Sequence, residues 1–256
     1  HYKLSSSRIN FTLNSLSDEA EINKDIKPIG YYYYTLFWTS ITDSDIRPLL
    51  KIEFWMLAVF ILAMSFLISF RKRTSNIPIL LAIFTTGLAG MVFEITVLLA
   101  FQSVYGYLYY KIAIIIATFM LGLALGAFLM NRYMTRIGTN TVTLAGIEFL
   151  IVTYSLILPA VIIGISQYLE IIFPLLMLIA GFLTGFEFPL TSKIYLGKNR
   201  DVGKTAGIIY SSDLSGAFLG SVVSASLLIP LIGIINVCIL VAILNFITGI
   251  LVLKIK

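Results

Sequence analysis

The chain has 256 residues, of which 59% are hydrophobic and only 12% charged, and its formal net charge is +5. A soluble domain carries roughly twice that charged fraction, so the composition excludes an ordinary water-soluble enzyme, a disordered chain and a nucleic-acid-binding domain. One cysteine, Cys238, and one histidine, His1, exclude a disulfide framework, a CxxC redox site and a His/Cys zinc site.

The composition breaks near residue 50. Residues 1–53 hold six basic and seven acidic side chains, a polar, loop-like stretch too short to bury a core of its own. Seven apolar runs follow, at 50–70, 78–102, 111–131, 141–163, 170–190, 206–230 and 234–253. A helix needs about 20 apolar residues to cross a bilayer. The first run is the weakest: its charge-free core, Phe54 to Phe70, has 17 residues and also suits an interfacial helix. Backbone polar groups cannot go unpaired in lipid, so these runs are predicted to be helical. They lack the strict alternation of a membrane β-barrel. The expected fold is an all-α polytopic membrane bundle of six or seven transmembrane helices over residues 50–256.

The connections set an orientation. Arg71, Lys72 and Arg73 follow the first run, Arg132 and Arg136 the third, Lys193, Lys198, Arg200 and Lys204 the fifth, and Lys254 and Lys256 the seventh. These eleven basic residues occupy alternate connections, and the other three share only Lys111. The positive-inside rule then makes the C-terminus cytoplasmic. Tyr105, Tyr107, Tyr109, Tyr110 and Tyr168 fall on the outer connections, as an aromatic belt would. The net charge reads as topology and needs no nucleic acid.

Glycine pairs at four-residue spacing occur at Gly122/Gly126, Gly181/Gly185 and Gly216/Gly220. Each clears a strip of helix surface for a second backbone. Tight packing inside the bundle is the expectation, since glycine is common in membrane helices and such pairs do not define a dimer interface. Four acids lie within the apolar runs or at their ends: Glu94, Glu148, Glu187 and Asp213. A carboxylate in hydrocarbon is costly and normally faces the bundle interior or water. Glu148, Glu187 and Asp213 fall toward the cytoplasmic side and suit one cavity for a cation or proton, with buried structural hydrogen bonding as the competing reading. Glu94 lies in the outer half, where Lys111 is the nearest basic candidate partner.

Other patterns carry less. Gly197 to Thr205 resembles a phosphate loop, but five residues separate Gly197 from Gly203 where the pattern needs four, and no strand precedes it. Asn10-Phe11-Thr12 is a glycosylation sequon of a kind frequent by chance. The run Tyr31–Tyr34 with Trp38 reads as an interfacial or packing segment. No histidine follows position 1, which excludes histidine general-base chemistry in the bundle.

Two regions carry a resemblance. In the first, Asn23, Asp25, Pro28, Gly30, Tyr31 and Tyr33 are followed by an apolar run and Trp38. In the second, Thr86–Glu94, Ala117–Ala127, Gly181–Leu190 and Gly207–Gly233 follow a recurrent pattern of glycines, G-x-x-F-P and S-D-x-x-G-A-x-x-G. Together they span about two thirds of the chain and resemble the membrane-bound spermidine synthase-like proteins, a major-facilitator-like bundle fused to a spermidine synthase domain. Gly126 to Arg136 also loosely resembles the major facilitator loop, with Asn131 one residue beyond that loop's aspartate.

The resemblance implies that residues 1–49 are the tail of an upstream soluble domain with its linker. It also implies that 50–256 form half of a major-facilitator-like bundle. The family's aminopropyltransferase part holds decarboxylated S-adenosylmethionine at a glycine-rich turn and the polyamine at paired aspartates. Those motifs are not in this sequence and are expected before His1, so neither a catalytic residue nor a cofactor site is carried onto this chain. Glu94, Glu187 and Asp213 match family positions without a role that transfers. The orientation adds a conflict: if 50–70 spans, the soluble tail lies outside the cytoplasm, where S-adenosylmethionine chemistry is not normally found.

The functional expectation is the membrane part of a polyamine aminopropyltransferase-like protein. The alternative is a major-facilitator-like transporter or scaffold without enzymatic activity. The expected partners are the lipid bilayer of a plasma or inner membrane, a polyamine or other cation, and either the upstream soluble domain or a second helical half.

Overall fold

With every backbone amide needing an internal partner in lipid, the apolar runs fold as helices, and among the described residues the structure is all-α. The computed structural model describes residues 28–30, 33, 76–106, 108–137, 141–164, 170–199 and 201–255. The expected soluble tail (apart from residues 28–30 and 33), the run 50–70, Arg71–Arg73, the sequon and Trp38 lie outside the described residues.

The helices are α1 (Ile77–Tyr105), α2 (Tyr109–Ile137), α3 (Thr141–Gly164), α4 (Ile172–Asn199), α5 (Val202–Val223) and α6 (Ile229–Leu253). A π-helical turn, Ser224–Leu228, joins α5 to α6, so Val202–Leu253 is a continuous 52-residue helical segment interrupted at Gly233. Among the described residues, which leave out the run 50–70, five helical segments, Val202–Leu253 counted as one, are long and apolar enough to cross a membrane, against the six or seven expected. The chain is a polytopic helical membrane protein.

The difference in count has a local cause. The expected runs 206–230 and 234–253 are two arms of the same stretch, broken only at Gly233, with φ 80 and ψ 164. That backbone region is essentially restricted to glycine. Pro230 lies just after the π turn and has no N–H to donate to the preceding turn. A straight helix would hold Asp213 and Thr248 about 52 Å apart, yet both stand beside the same turn of α1. Asp213 packs on Gly87, and the Thr248 hydroxyl lies 3.2 Å from that of Thr85. The two arms thus fold back on each other at Gly233.

Helix directions follow from the same contacts. Phe84 and Leu88 of α1 meet Gly216 and Gly220 of α5 in that order, so these helices run parallel. Gly122 and Gly126 of α2 sit on the backbone of Leu178, Phe182 and Phe186 of α4. In return, Gly181 and Gly185 sit on Phe119 and Leu123. This is a second parallel pair, with four glycines in one seam. By contrast α3 and α6 run antiparallel, since Ser155 bonds the Cys238 carbonyl at 2.7 Å and Glu148 lies against Gly249.

Lipid offers no hydrophobic gain for bringing apolar helices together, so close backbone approach and interhelical hydrogen bonds hold such a bundle. All six glycines of the three pairs serve contacts inside the chain. Helix α1 sits centrally, packed by α4, α5, α6 and α3. Its buried side chains lie all round, as expected of an interior helix. The outer surfaces of α2 and α5 present large apolar side chains such as Phe128, Met120 and Phe218, which suits contact with lipid tails.

Candidate functional site

The acids on α3, α4 and α5 come together because their helices cross α1 at the same level. Thr86 of α1 donates a hydrogen bond to Glu187 Oε2 at 2.5 Å, which fixes the depth of α4 against α1. On α5, Asp213 packs on Gly87, where the absent side chain admits both its backbone carbonyl and its carboxylate. Ser212 holds that register by donating to the Leu80 carbonyl at 2.9 Å. From the opposite side α6 carries Gly249 against the Cβ of Glu148 on α3.

Glu187 is the middle member, close enough for its charge to interact with Glu148 on one side and Asp213 on the other. Glu148 and Glu187 are completely buried, and Asp213 is partly so. Neither carboxylate oxygen of Glu148 has a hydrogen-bond partner among the described residues, and neither does Glu187 Oε1. The Thr248 hydroxyl stands beside Glu148. It is engaged by the Leu244 and Asn245 carbonyls and the Thr85 hydroxyl, at 3.0–3.2 Å. Asn245, also fully buried, donates to the Val241 carbonyl at 2.8 Å and leaves its own oxygen unpaired.

Among the described residues no basic side chain pairs with these acids, and one ion pair forms, between Lys111 and Glu170. That pair corrects the expectation for Glu94. Lys111 is engaged by the acid at the start of the next helical hairpin and lies 5.8 Å from the ring centroids of Tyr105 and Tyr110. Glu94 is buried on α1, eight residues beyond Thr86, or about 12 Å along the helix, and stands apart from the trio.

Unscreened carboxylates in a low-dielectric interior repel one another and lose their hydration. In general a buried acid without a basic partner is compensated by a bound proton or by a cation. Among the described residues no group of three or more acids, histidines or cysteines is arranged to hold a metal ion.

The threonine and asparagine members were not singled out in the sequence. Thr85, Thr86, Asn245 and Thr248 lie in apolar runs, but a helical threonine usually satisfies itself on its own backbone, as Thr85 does on the Leu81 and Ala82 carbonyls. Asn245 was the stronger signal, an amide within a run otherwise almost wholly apolar. The Gly197–Thr205 segment is a helix end, a short connection and a helix start, with Asp201 Oδ1 accepting the Lys204 N–H at 3.0 Å. No family model, curated protein or solved structure matches this chain.

Proposed function

We propose that the chain is the membrane domain of a spermidine synthase-like protein and that its bundle handles a cation through Glu148, Glu187 and Asp213. The observation that carries this reading is the meeting of three acids from three helices with no basic side chain among the described residues. The resemblance of the sequence supplies the cation class, a flexible polyamine whose amines would replace the missing counter-charges.

The experiment uses the full chain in liposomes enclosing a pH-sensitive dye, with a spermidine gradient imposed across the membrane. A dye response should appear, vanish in the E148Q/E187Q/D213N triple variant and persist in E94Q. An unchanged response in a triple variant with native helicity would overturn the reading.

One observation favours a second reading, a major-facilitator-like transporter without enzymatic activity. Glu148 and Glu187 are fully enclosed, and a proton reaches them with less opening of the bundle than a polyamine needs. On that reading a pH gradient alone drives the dye response, spermidine adds nothing, and the triple variant still abolishes it.

A further inference from the structure

A cavity of about 340 Å³ opens between α2, α4 and α5, at the end of the bundle where α2 and α4 finish and α5 begins. Met134, Phe188 and Leu196 form an apolar wall, and Asn131, Ser192, Lys193 and Thr205 supply the polar groups. None of the acidic trio lines it: Asp213 lies eight residues beyond Thr205 on α5, about 12 Å away along the helix, and Glu187 adjoins the lining residue Phe188 in sequence without lining the cavity itself.

The hydroxyls are the unusual feature. Thr205 is 3% exposed, and its Oγ1 has no hydrogen-bond partner among the described residues, nor does Ser192 Oγ. Thr85, Thr184 and Thr248 bond back to carbonyls of their own helices, whereas Thr96, Thr191 and Thr205 are buried with hydroxyls that have no partner among the described residues. Of these three, Thr205 is the one that lines this cavity, and a buried hydroxyl left unpaired is costly to keep.

The remaining groups can all donate hydrogen bonds, and the one charge among the lining side chains is positive. Val202, the first residue of α5, lines the cavity. Its N–H belongs to the first turn, where amides lack intrahelical acceptors and the helix dipole favours negative charge. The Lys193 ammonium and the Asn131 amide donate as well. No carboxylate lines the cavity, and Asp201, just before α5, is engaged in capping Lys204. Arg132 and Lys204 each adjoin a lining residue in sequence and are exposed. A ligand that meets four kinds of donor beside an apolar wall is an oxygen-rich anion.

We propose that this cavity binds a phosphoryl anion, held by Lys193, Asn131, the Ser192 and Thr205 hydroxyls and the first turn of α5. Two sources present that chemistry: the headgroup of an anionic phospholipid, with its chains along Met134 and Leu196, or free phosphate.

The test is thermal unfolding of the full chain in detergent, titrated separately with phosphatidylglycerol, phosphatidylcholine and inorganic phosphate at fixed ionic strength. Saturable stabilisation by phosphatidylglycerol well above phosphatidylcholine identifies the lipid headgroup. Stabilisation by inorganic phosphate alone identifies the free anion. In either case K193Q and T205V should weaken the apparent affinity at least fivefold, and K193R should restore most of it. K193Q changes an exposed side chain, so its fold is expected to survive if T205V fails to fold. Absence of stabilisation by all three probes, or stabilisation equal in wild type and K193Q, overturns the proposal.

Discussion

The same chemical change, glycine to alanine, should have opposite signs at two places in this bundle. At Gly181 an added Cβ would overlap the Phe119 carbonyl and lie 3.0 Å from the Leu123 nitrogen, and at Gly185 it would meet the Leu123 Cα at 2.7 Å. Those neighbours are backbone and cannot rotate away, so α2 and α4 must separate along their seam. Overpacking of this kind costs about 1–3 kcal/mol, against a helix-propensity gain of at most about 1 kcal/mol. We expect Gly181→Ala to destabilise by roughly 1–2 kcal/mol on those two figures. At Gly146 of α3 and Gly207 of α5 nothing lies within 4 Å of the added carbon. There the change should be neutral or stabilising by up to about 1 kcal/mol. Unfolding in mixed micelles by SDS titration, followed by circular dichroism, measures all three variants against wild type. Equal stabilities for Gly181→Ala and Gly146→Ala would refute the assignment of α2 and α4 to a glycine-lined seam.

Four further outcomes are expected in the same assay. Gly233→Ala puts a side chain at φ 80, ψ 164 and should cost about 1–3 kcal/mol. Gly106→Ala, at φ 75, ψ −164 with no neighbour within 4 Å, should cost a similar amount through backbone strain alone; a negligible change at both would remove the hinge argument. Ser155→Ala removes the 2.7 Å bond from α3 to the Cys238 carbonyl of α6 and should cost about 0.6 kcal/mol, with about 1.7 kcal/mol as the upper range for such bonds. Thr86→Val takes away the donor to Glu187 Oε2 and should cost about 1–3 kcal/mol, since a buried acceptor is left unpaired. A double-mutant cycle with Glu187→Gln should then show coupling, and purely additive effects would place the Thr86 contribution elsewhere.

How far the sequence reveals this arrangement differs from element to element. Hydropathy locates the helices because lipid demands an apolar exterior, so the run 141–163 nearly coincides with Thr141–Gly164. It underestimates their ends: α4 continues from residue 190 to Asn199 through Lys193 and Tyr195. Backbone bonding does not stop where the apolar side chains do. It also separates 206–230 from 234–253, and the backbone does break between them, at Gly233, while the π turn lies inside the first of these runs. Composition registers Pro230 and Gly233 but not whether the intervening residues stay coiled. Pairing is the least legible feature. Lys111 and Glu170 are 59 residues apart, and each follows a connection between helices. Their meeting depends on α2 and α4 running parallel, which one sequence does not state.

The acids were legible and their companions were not, and this asymmetry bears on what the cluster does. An acid in an apolar run is conspicuous because its charge is costly wherever it lies in lipid. A threonine is cheap, and only the fold distinguishes Thr86, which reaches across to Glu187, from Thr184, which bonds its own helix. A purely structural set of buried acids would be expected to recruit enough such donors to satisfy itself, because a partly satisfied buried network is costly to keep. Here one donor reaches Glu187, and both oxygens of Glu148 are left over. Acceptors left unfilled among the described residues, on helices that cross at one level, are what a site needs if it is to load and release a positive charge. A self-satisfied network would hold its helices more firmly and offer a cation nothing.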